Sequence, residues 1–440
     1  MTQKSSLRDI YMHPVGRDVA DKLKLSLLFR SGLPLGVLKL LGKSGLVYAL
    51  PALTDGDGLP EDEVLPAKAW WKEAVFYQIR LRDFRGGLNG VAAKLDYLQS
   101  LGITALRLSP VYDTGDYFSV ISEYGGAEAL NALIAQLRWR GMRIVMDLTL
   151  EQADSQAIYA MMGWWLDLGI DGFKLDVMNY ISKAHTLPDE DPYISRVMHN
   201  MGIEHQYFDA RLHGHLRELR RGVFVPHGAF SLGEAPGVGL GGARMLSDAY
   251  REELDLLFTV HHFESFPRLK RRFMEQLNSD KGHGWHTLFF NNFAARLAAK
   301  VDAKGIYADR LAKLFAMLQL TLRGTPIVYQ GDELGFENDD ADSQELDATS
   351  VLSFYSDLIG IRNASPALVY GALTFPDARG GGFINYTRIL SPLGDNFYIE
   401  ANLQARARKS AAPGDAQFLM GNYGSAAAKL RPYEARIYKL

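Results

Sequence analysis

The sequence predicts an α/β chain built around a (β/α)₈ barrel, and two observations carry that prediction. Eight runs rich in apolar and β-branched residues alternate with segments of helical periodicity between about residues 74 and 362. An open doubly wound sheet would need a glycine-rich phosphate loop after its first strand, and none follows the first run. The eight predicted strands are Val75–Leu81, Ile103–Ser109, Arg143–Leu148, Gly172–Val177, Phe230–Gly233, Leu256–Val260, Thr287–Asn291 and Pro326–Tyr329.

Apolar residues at intervals of three and four predict the helices between these strands. These helices are Val91–Leu101, Ala127–Arg138, Ala157–Leu168 and Arg310–Leu322. Beyond the barrel the pattern changes to short alternating runs with turns, which indicates an all-β module. Its predicted strands are Phe383–Thr387, Asn396–Ile399, Phe418–Met420 and Arg436–Tyr438. We therefore expect an N-terminal helical segment and linker at residues 1–70, the barrel at 71–364 and a C-terminal β-sandwich at 365–440.

The N-terminal segment combines many leucines with scattered lysines in short runs broken by Gly32 and Gly42. A helix with leucine on one side and lysine on the other is compatible with binding to a membrane surface. The alternative is a small helical layer packed on the main domain or on a second subunit. Since contiguous apolar patches usually mark an interface, we expect a homo-oligomer or a paralogue partner bound through residues 1–50.

Composition excludes several classes of function. A formal net charge of −3 gives no reason to expect a nucleic-acid partner. No apolar run approaches the roughly 20 residues of a membrane span. The absence of cysteine excludes disulfides and thiolate metal sites and fits a reducing compartment. Because the first thirty residues also lack the pattern of a signal peptide, the sequence predicts a cytoplasmic location. We expect no cofactor.

Polar residues at the ends of the predicted strands are the candidates for chemistry, because barrels of this kind place their sites there. Asp147 ends the third strand, Asp176 the fourth and Glu234 follows the fifth. Two carboxylates about 5 Å apart serve a retaining glycosidase as nucleophile and as acid/base. Structural roles remain open: Asp176 could pair with Lys174 or Lys183, and Glu234 could accept hydrogen bonds from loop amides.

A series of motifs occurs in order between about Ala74 and Leu440. They include Val75-Phe-Tyr-Gln-Ile79, Leu108-Ser-Pro-Val-Tyr112, Gly172-Phe-Lys-Leu-Asp-Val177, Gly233-Glu-Ala-Pro-Gly-Val238, Trp285-His-Thr-Leu-Phe-Phe-Asn-Asn292 and Gly324-Thr-Pro-Ile-Val-Tyr-Gln-Gly-Asp-Glu-Leu-Gly335. Together they resemble the α-amylase family of glycoside hydrolases, and most of all its oligo-1,6-glucosidase and α-glucosidase branch.

The resemblance implies a role for each matching position. Asp176 takes the place of the family's nucleophile and Glu234 that of its general acid/base. Asp147, Lys174 and Asn292 then become candidate substrate-binding residues. An α-glucoside or oligosaccharide is the ligand that such a site implies.

The chain also departs from the family's catalytic motifs. Phe293 and Ala294 stand where the family has His and its third carboxylate, Asp. Lys174 replaces an arginine, which keeps the charge but loses the planar fork. Glu151-Gln152 replaces the family's Asn-His pair.

Several loops of the family are shortened as well. The segment Arg85–Gly90 has one side-chain oxygen ligand, whereas calcium takes about six to eight oxygens. The loop after Asp113 lacks the family's sugar-lining residues. Between the third strand and its helix only Glu151–Ser155 remains where the family inserts a separate domain.

Three interpretations follow from the sequence. In the first, the chain is a pseudo-glycosidase with a structural, regulatory or sugar-binding role. In the second, it is an active retaining α-glucosidase or transglycosylase on short α-glucosides that uses Asp176 and Glu234. In the third, the barrel scaffolds the N-terminal helices for an unrelated interaction.

Overall fold

A computed structural model describes most of the barrel, the C-terminal sheet and parts of the N-terminal segment. By their internal contacts the residues form two compact units. The first comprises Met1–Val64, Asp147–Thr259 and Ser279–Trp285, and the second comprises Leu65–Met146, Val260–Asn278 and His286–Leu440. The described residues are 6–12, 17, 20–21, 25–35, 37–40, 67–113, 116–149, 155–176, 210–235, 240–258, 270, 274, 285–302, 304–335, 350–377, 381–391 and 394–440.

Among the described residues, ten strands precede the C-terminal sheet. They are β1 (Phe76–Ile79), β2 (Ala105–Leu108), β3 (Tyr112–Asp113), β4 (Asp116–Val120), β5 (Arg143–Thr149), β6 (Gly172–Asp176), β7 (Phe230–Glu234), β8 (Leu256–Phe258), β9 (Thr287–Leu288) and β10 (Thr325–Tyr329). Apart from the β3–β4 hairpin they form one sheet in the order β8-β7-β6-β5-β2-β1-β10-β9. Parallel pairing joins β1 with β2, β2 with β5, β6 with β7, β7 with β8, β9 with β10 and β10 with β1, as in a (β/α)₈ barrel. The predicted fold class is confirmed.

Helices follow the barrel strands and present apolar stripes to them. In Gly126–Trp139 the buried positions include Leu130, Leu133 and Leu137, which recur at helical spacing. The longer α-helices are Gly126–Trp139, Ser155–Leu168, Ala210–Leu219, Leu240–Ser247, Asn291–Val301, Ala308–Thr321 and Val351–Ala364. The shorter ones are Leu7–Met12, Ser26–Phe29, Val37–Leu40, Trp70–Glu73, Gly87–Ala93, Leu95–Ser100, Val225–His227 and Pro366–Tyr370, and a π-helical turn spans Arg220–Phe224.

The helix predicted at Val91–Leu101 is two helices in the structure, Gly87–Ala93 and Leu95–Ser100. At Lys94 the backbone N–H donates to the carbonyl of Val91, three residues earlier, which tightens the turn and changes the helix direction. Hydrophobic spacing alone does not reveal this break, because buried residues lie on both sides of it.

In the first unit, the backbone of β7 leaves no space for a side chain at the first residue of β6. Gly172 pairs with Phe230, and a Cβ added to this glycine would lie 2.2 Å from the carbonyl oxygen of Phe230. The same register places Lys174 opposite Leu232 and Leu175 opposite Gly233. One step further, Asp176 lies level with Glu234.

In the second unit, the C-terminal residues form an antiparallel sheet in the order β11-β12-β13-β17-β15 and a separate pair, β14 with β16. Buried Arg362 and Arg388 donate to the carbonyls of Leu320 and Thr321, at the end of the helix Ala308–Thr321. The all-β prediction for this region is confirmed. The strands are β11 (Ala372–Thr374), β12 (Phe383–Ile389), β13 (Phe397–Asn402), β14 (Arg408–Lys409), β15 (Gln417–Gly421), β16 (Lys429–Leu430) and β17 (Ala435–Lys439).

Short helices occupy the described part of the N-terminal segment, as the sequence predicts. Its apolar residues divide into two sets: Leu7, Ile10 and Phe29 are buried, whereas Met12 and Leu27 are exposed. In the described parts of the chain, no helix is long and apolar enough to cross a membrane.

Candidate active site

The ends of β6 and β7 bring together the two carboxylates that the sequence singles out. Asp176 is the last residue of β6 and Glu234 the last of β7. Adjacent strands in a sheet lie about 4.8 Å apart, and the register places these two residues at the same height. Side chains at this separation are compatible with the carboxylate spacing of about 5 Å that retaining glycosidases use.

Lys174 joins these two carboxylates. It precedes Asp176 by two residues on β6, so both side chains point to the same face of the sheet. Its Nζ forms ion pairs with Asp176 Oδ1 and with Glu234 Oε2. The lysine side chain is 5% exposed, whereas those of Asp176 and Glu234 are 23% and 21% exposed. A buried cation thus lies under two carboxylates that remain partly accessible.

Strand β5 contributes the other polar groups of the cluster. The Thr149 hydroxyl donates to Asp176 Oδ2 at 3.3 Å, so both oxygens of the predicted nucleophile accept hydrogen bonds. Asp147 lies two residues earlier on the same strand, faces the same side and is 8% exposed. Its position agrees with the predicted role in ligand binding, but its contacts leave that role a prediction.

An aromatic ring lies beside the buried ammonium. The Nζ of Lys174 lies 5.8 Å from the ring centroid of Phe258, the last residue of β8. A ring within about 6 Å attracts a cation through its electron-rich face. The ring and the two carboxylates together hold the ammonium at the strand ends.

The second unit contains the remaining predicted residues. The helix Asn291–Val301 begins with Asn291 and Asn292, and Ala294 in its first turn is 3% exposed. The residue that the sequence motifs place at the family's third carboxylate position is therefore a buried alanine. The structure gives the backbone of Asn292 but not the surroundings of its side chain, so its predicted role in substrate binding stays a prediction.

A second pair of acidic residues follows β10, which the sequence analysis did not identify as a pair. Asn291 Nδ2 donates to Asp332 Oδ1 at 2.6 Å, and the backbone N–H of Tyr329 donates to Asp332 Oδ2 at 3.0 Å. Glu333 accepts from the hydroxyls of Tyr77 at 2.7 Å and Tyr97 at 3.0 Å. Their position directly after a strand is the sequence signal that could have identified them.

Burial raises the pKa of Asp332 to about 7, against the opposing hydrogen bonds from Asn291 and Tyr329. Burial also raises the pKa of the neighbouring Glu333 carboxyl. Among the described residues, the titratable groups that face this pair are the tyrosines Tyr77, Tyr97 and Tyr355, which carry no positive charge. The pair therefore binds protons more tightly than free carboxylates do.

Two of the segments predicted to be short are bounded by described elements. Five residues, 150–154, separate the end of β5 from the helix Ser155–Leu168, and they lie outside the described residues. The segment Arg85–Gly90 turns at Gly86 and enters the helix Gly87–Ala93, so Asn89 lies within a helix. In the parts of the chain that the structure describes, no three His, Asp or Glu side chains are grouped to hold a metal ion.

Comparison with known proteins decides the family. Residues 52–154 and 149–349 match the family model described as "Alpha amylase, catalytic domain", which covers more than half of the chain. The chain belongs to the α-amylase family. That Asp176 and Glu234 occupy the family's nucleophile and acid/base positions stays a prediction from the sequence motifs.

Similar proteins include an oligo-1,6-glucosidase from Halalkalibacterium halodurans, which is 27% identical, with 63% of this chain and 67% of the relative covered. A trehalose-6-phosphate hydrolase from Bacillus subtilis is 26% identical, with 61% of this chain and 66% of the relative covered. The predicted branch of the family is confirmed. The chain spans about two thirds of the length of these relatives.

Solved structures of the α-amylase family show the same fold. Isomaltulose synthase from Klebsiella sp. LX3 superposes with a TM-score of 0.74 at 21% identity, over 84% of this chain and 99% of that protein. A trehalose-6-phosphate hydrolase from Bacillus licheniformis gives a TM-score of 0.73 at 20% identity, over 84% of this chain and all of that protein.

Proposed function

We propose that this member of the α-amylase family binds α-glucosidic sugars at its strand ends but hydrolyses them slowly or not at all. The observation that carries the proposal is the ammonium of Lys174, which pairs with both Asp176 and Glu234. A retaining mechanism needs the nucleophile to attack with a free oxygen lone pair and the acid to carry a proton to the leaving group. Here one oxygen of each carboxylate is committed to a cation.

Two further features support loss of hydrolysis. The third carboxylate position is Ala294, whose buried methyl group cannot bind sugar hydroxyls or stabilise an oxocarbenium ion. Loss of one preorganised electrostatic group costs roughly 10²- to 10³-fold in rate. In addition, the five residues between β5 and its helix leave one wall of the family's cleft unbuilt. These losses need not add, but each lowers the rate.

An active retaining α-glucosidase or transglycosylase remains the second candidate function. One observation favours it: the level placement of Asp176 and Glu234 gives the carboxylate spacing that a retaining enzyme needs. A substrate hydroxyl that displaced Lys174 would free both carboxylates. The named relatives are glucosidases and hydrolases, and that supports this candidate by analogy.

Sugar binding is tested by titration calorimetry of the full chain with isomaltose and maltose. We expect measurable binding that weakens in Asp176→Asn and Glu234→Gln, because each change removes a charged acceptor at the strand ends. Asp167→Asn is the matched control, since Asp167 is an exposed carboxylate in the same unit. The proposal is contradicted if no heat of binding appears at about 50 mM sugar, because any binding is then weaker than about −2 kcal/mol.

Three broader proposals rest on sequence features. We infer that the chain associates with a second copy or a paralogue through residues 1–50, where Met12 and Leu27 are exposed. The absence of cysteine supports a cytoplasmic location. The change of sequence pattern near residues 70 and 365 supports the division into an N-terminal segment, a barrel and a C-terminal domain.

A further inference from the structure

The helix Gly126–Trp139 ends with a tryptophan that is open to solvent. Trp139 is 82% exposed, more than any other aromatic side chain among the described residues. Single exposed apolar side chains are common on protein surfaces, but tryptophan is highly buried on average. An indole ring left this open therefore indicates a surface that binds a ligand or a partner.

The turn that ends the helix holds Trp139 in place. The N–H of Gly141 donates to the Arg138 carbonyl at 3.0 Å. The N–H of Met142 donates to the Leu137 carbonyl at 2.9 Å. These two bonds form a Schellman motif, in which Gly141 adopts a left-handed φ of 68°. Leu137 and Met142 are buried, so the turn is anchored and the ring is ordered before a ligand arrives, which lowers the entropic cost of binding.

Two polar side chains accompany the ring. The guanidinium carbon of Arg140 lies 5.1 Å from the ring centroid of Trp139, and Arg140 Nη2 donates to Asp96 Oδ1 at 2.7 Å. The Arg140 side chain is 11% exposed, whereas that of Asp96 is 87% exposed. Because the guanidinium and the carboxylate balance each other, these three side chains form a neutral group with an open ring and an open carboxylate.

This group lies at the amino ends of the strands in the second unit. Arg143 opens β5 directly after the turn and pairs with Ala105, the first residue of β2. Barrels of this class carry their reaction sites at the carboxyl ends of the strands. The surface around Trp139 is therefore separate from the carboxyl ends of β1 and β2.

We propose that Trp139, Arg140 and Asp96 form a second carbohydrate site, which binds the pyranose rings of a neutral α-glucan. The apolar face of the indole ring covers the C–H groups of one sugar ring, and the carboxylate and guanidinium hydrogen-bond its hydroxyls. The choice of an α-glucan rests on the proposed sugar-binding function.

An anionic polymer is the competing ligand, because Arg138 and Arg143 add two exposed positive charges to the turn. The ring argues against it. The face of an aromatic ring carries partial negative charge, which attracts the C–H groups of a sugar and repels an anion. The charge of Arg140, the cation beside the ring, is already balanced by Asp96.

The test is affinity electrophoresis of the full chain in native gels that contain dextran, a neutral α-glucan. We expect dextran to retard the parent chain. Trp139→Ala should lower the affinity by about tenfold or more, because truncating a tryptophan at the centre of a binding surface commonly has an effect of this size. Trp139→Tyr keeps an aromatic ring and should retain part of the retardation, and Asp96→Ala should weaken it. Tyr250→Ala is the matched control, since Tyr250 is an aromatic residue that is 66% exposed.

Calorimetry with isomaltose separates this site from the strand ends, because Trp139→Ala should leave isomaltose binding unchanged. Dextran that does not retard the parent chain, or that retards Trp139→Ala equally, overturns this inference. If isomaltose still binds in either case, the proposed function stands, and if isomaltose also fails to bind, both fail. Retardation that Asp176→Asn abolishes and Trp139→Ala does not assigns dextran to the strand ends and overturns this inference alone. Dextran sulfate that binds more tightly than dextran, with the same dependence on Trp139, identifies an anion site and also overturns it.

Discussion

One buried ammonium group decides what the two strand-end carboxylates can do. An arginine at this position would present a planar fork, whereas the ammonium of Lys174 is a compact charge with three donors that point in different directions. It therefore reaches Asp176 and Glu234 together. The structural alternative considered from the sequence, a pair between Asp176 and Lys174, is present, and the same lysine also pairs with Glu234.

Replacing this lysine should destabilise the fold. Lys174→Met leaves two neighbouring carboxylates without their cation, and we expect the free energy of unfolding to fall by about 3 kcal/mol in urea titrations. Lys174→Arg keeps the charge and should cost less. Adding Asp176→Asn and Glu234→Gln to Lys174→Met should recover part of the loss. A cost below about 0.5 kcal/mol for Lys174→Met would mean that the ion pairs carry little energy.

The neighbouring carboxyls of Asp332 and Glu333 should make stability depend on pH. The folded pKa of Asp332, about 7, exceeds its ordinary value of 3.8, so the folded chain holds the proton more tightly than the unfolded chain. The stabilisation is therefore complete below about pH 4 and is lost as the pH rises to about 7.

We expect this pair to lower the free energy of unfolding by up to about 4 kcal/mol across that pH range. The measurement is a series of urea titrations between pH 4.5 and 8 on the parent chain and on Asp332→Asn, which does not titrate. The free energy of unfolding of the parent chain, relative to that of Asp332→Asn, should fall as the pH rises. A constant difference would show that Asp332 does not titrate in this range.

At the scale of elements, the close approach of β6 and β7 aligns the two carboxylates. The register from Gly172 and Phe230 up to Leu175 and Gly233 fixes Asp176 beside Glu234. Gly172 permits this approach because a Cβ there would overlap the Phe230 carbonyl. The glycine that opens β6 is thus part of the site, although it lies four residues from the nucleophile position.

Gly172→Ala should force the two strands apart. We expect a loss of about 2 to 4 kcal/mol in the free energy of unfolding, because the new methyl group would meet backbone rather than a movable side chain. Gly163→Ala is the control, since Gly163 lies inside the helix Ser155–Leu168 with its nearest neighbour at 4.0 Å. That control should be neutral or gain up to about 1 kcal/mol. Equal effects of the two changes would contradict the proposed role of Gly172.

The elements were largely predictable because their hydrophobic patterns are local. Each of the eight barrel strands overlaps a run predicted from apolar content and turn residues, and three of them extend one residue beyond it. The β3–β4 hairpin was not predicted, because Tyr112–Asp113 and Asp116–Val120 lack a clear alternation of buried and exposed residues. The break at Lys94 was missed for a similar reason.

The site was predictable in its residue types and less so in its contacts. Strand ends and family motifs identified Asp147, Lys174, Asp176 and Glu234, and the structure places them together on β5, β6 and β7. The sharing of one lysine by two carboxylates depends on the register of β6 against β7, which a linear sequence does not encode locally. The same holds for the hydrogen bond between Asn291 and Asp332.

At the scale of the whole molecule, the N-terminal segment should mediate association. Deleting residues 1–50 should give a folded chain with a smaller mass by light scattering than the full-length protein, because exposed apolar groups such as Met12 and Leu27 are removed. If these residues instead pack on their own chain, the truncated protein should be unstable or insoluble. The proposed interface would be contradicted if the full-length protein is monomeric at tens of micromolar and no coexpressed relative copurifies with it.

The most direct test of the central claim is the turnover number of the full chain on 4-nitrophenyl α-glucoside, maltose and isomaltose. We expect a turnover far below about 1 s⁻¹, the lower end of the ordinary enzyme range, because Lys174 occupies both carboxylates and Ala294 replaces the third. Any residual rate should be compared with that of Asp176→Asn. A turnover above about 1 s⁻¹ that Asp176→Asn abolishes would show that the chain is an active retaining glycosidase.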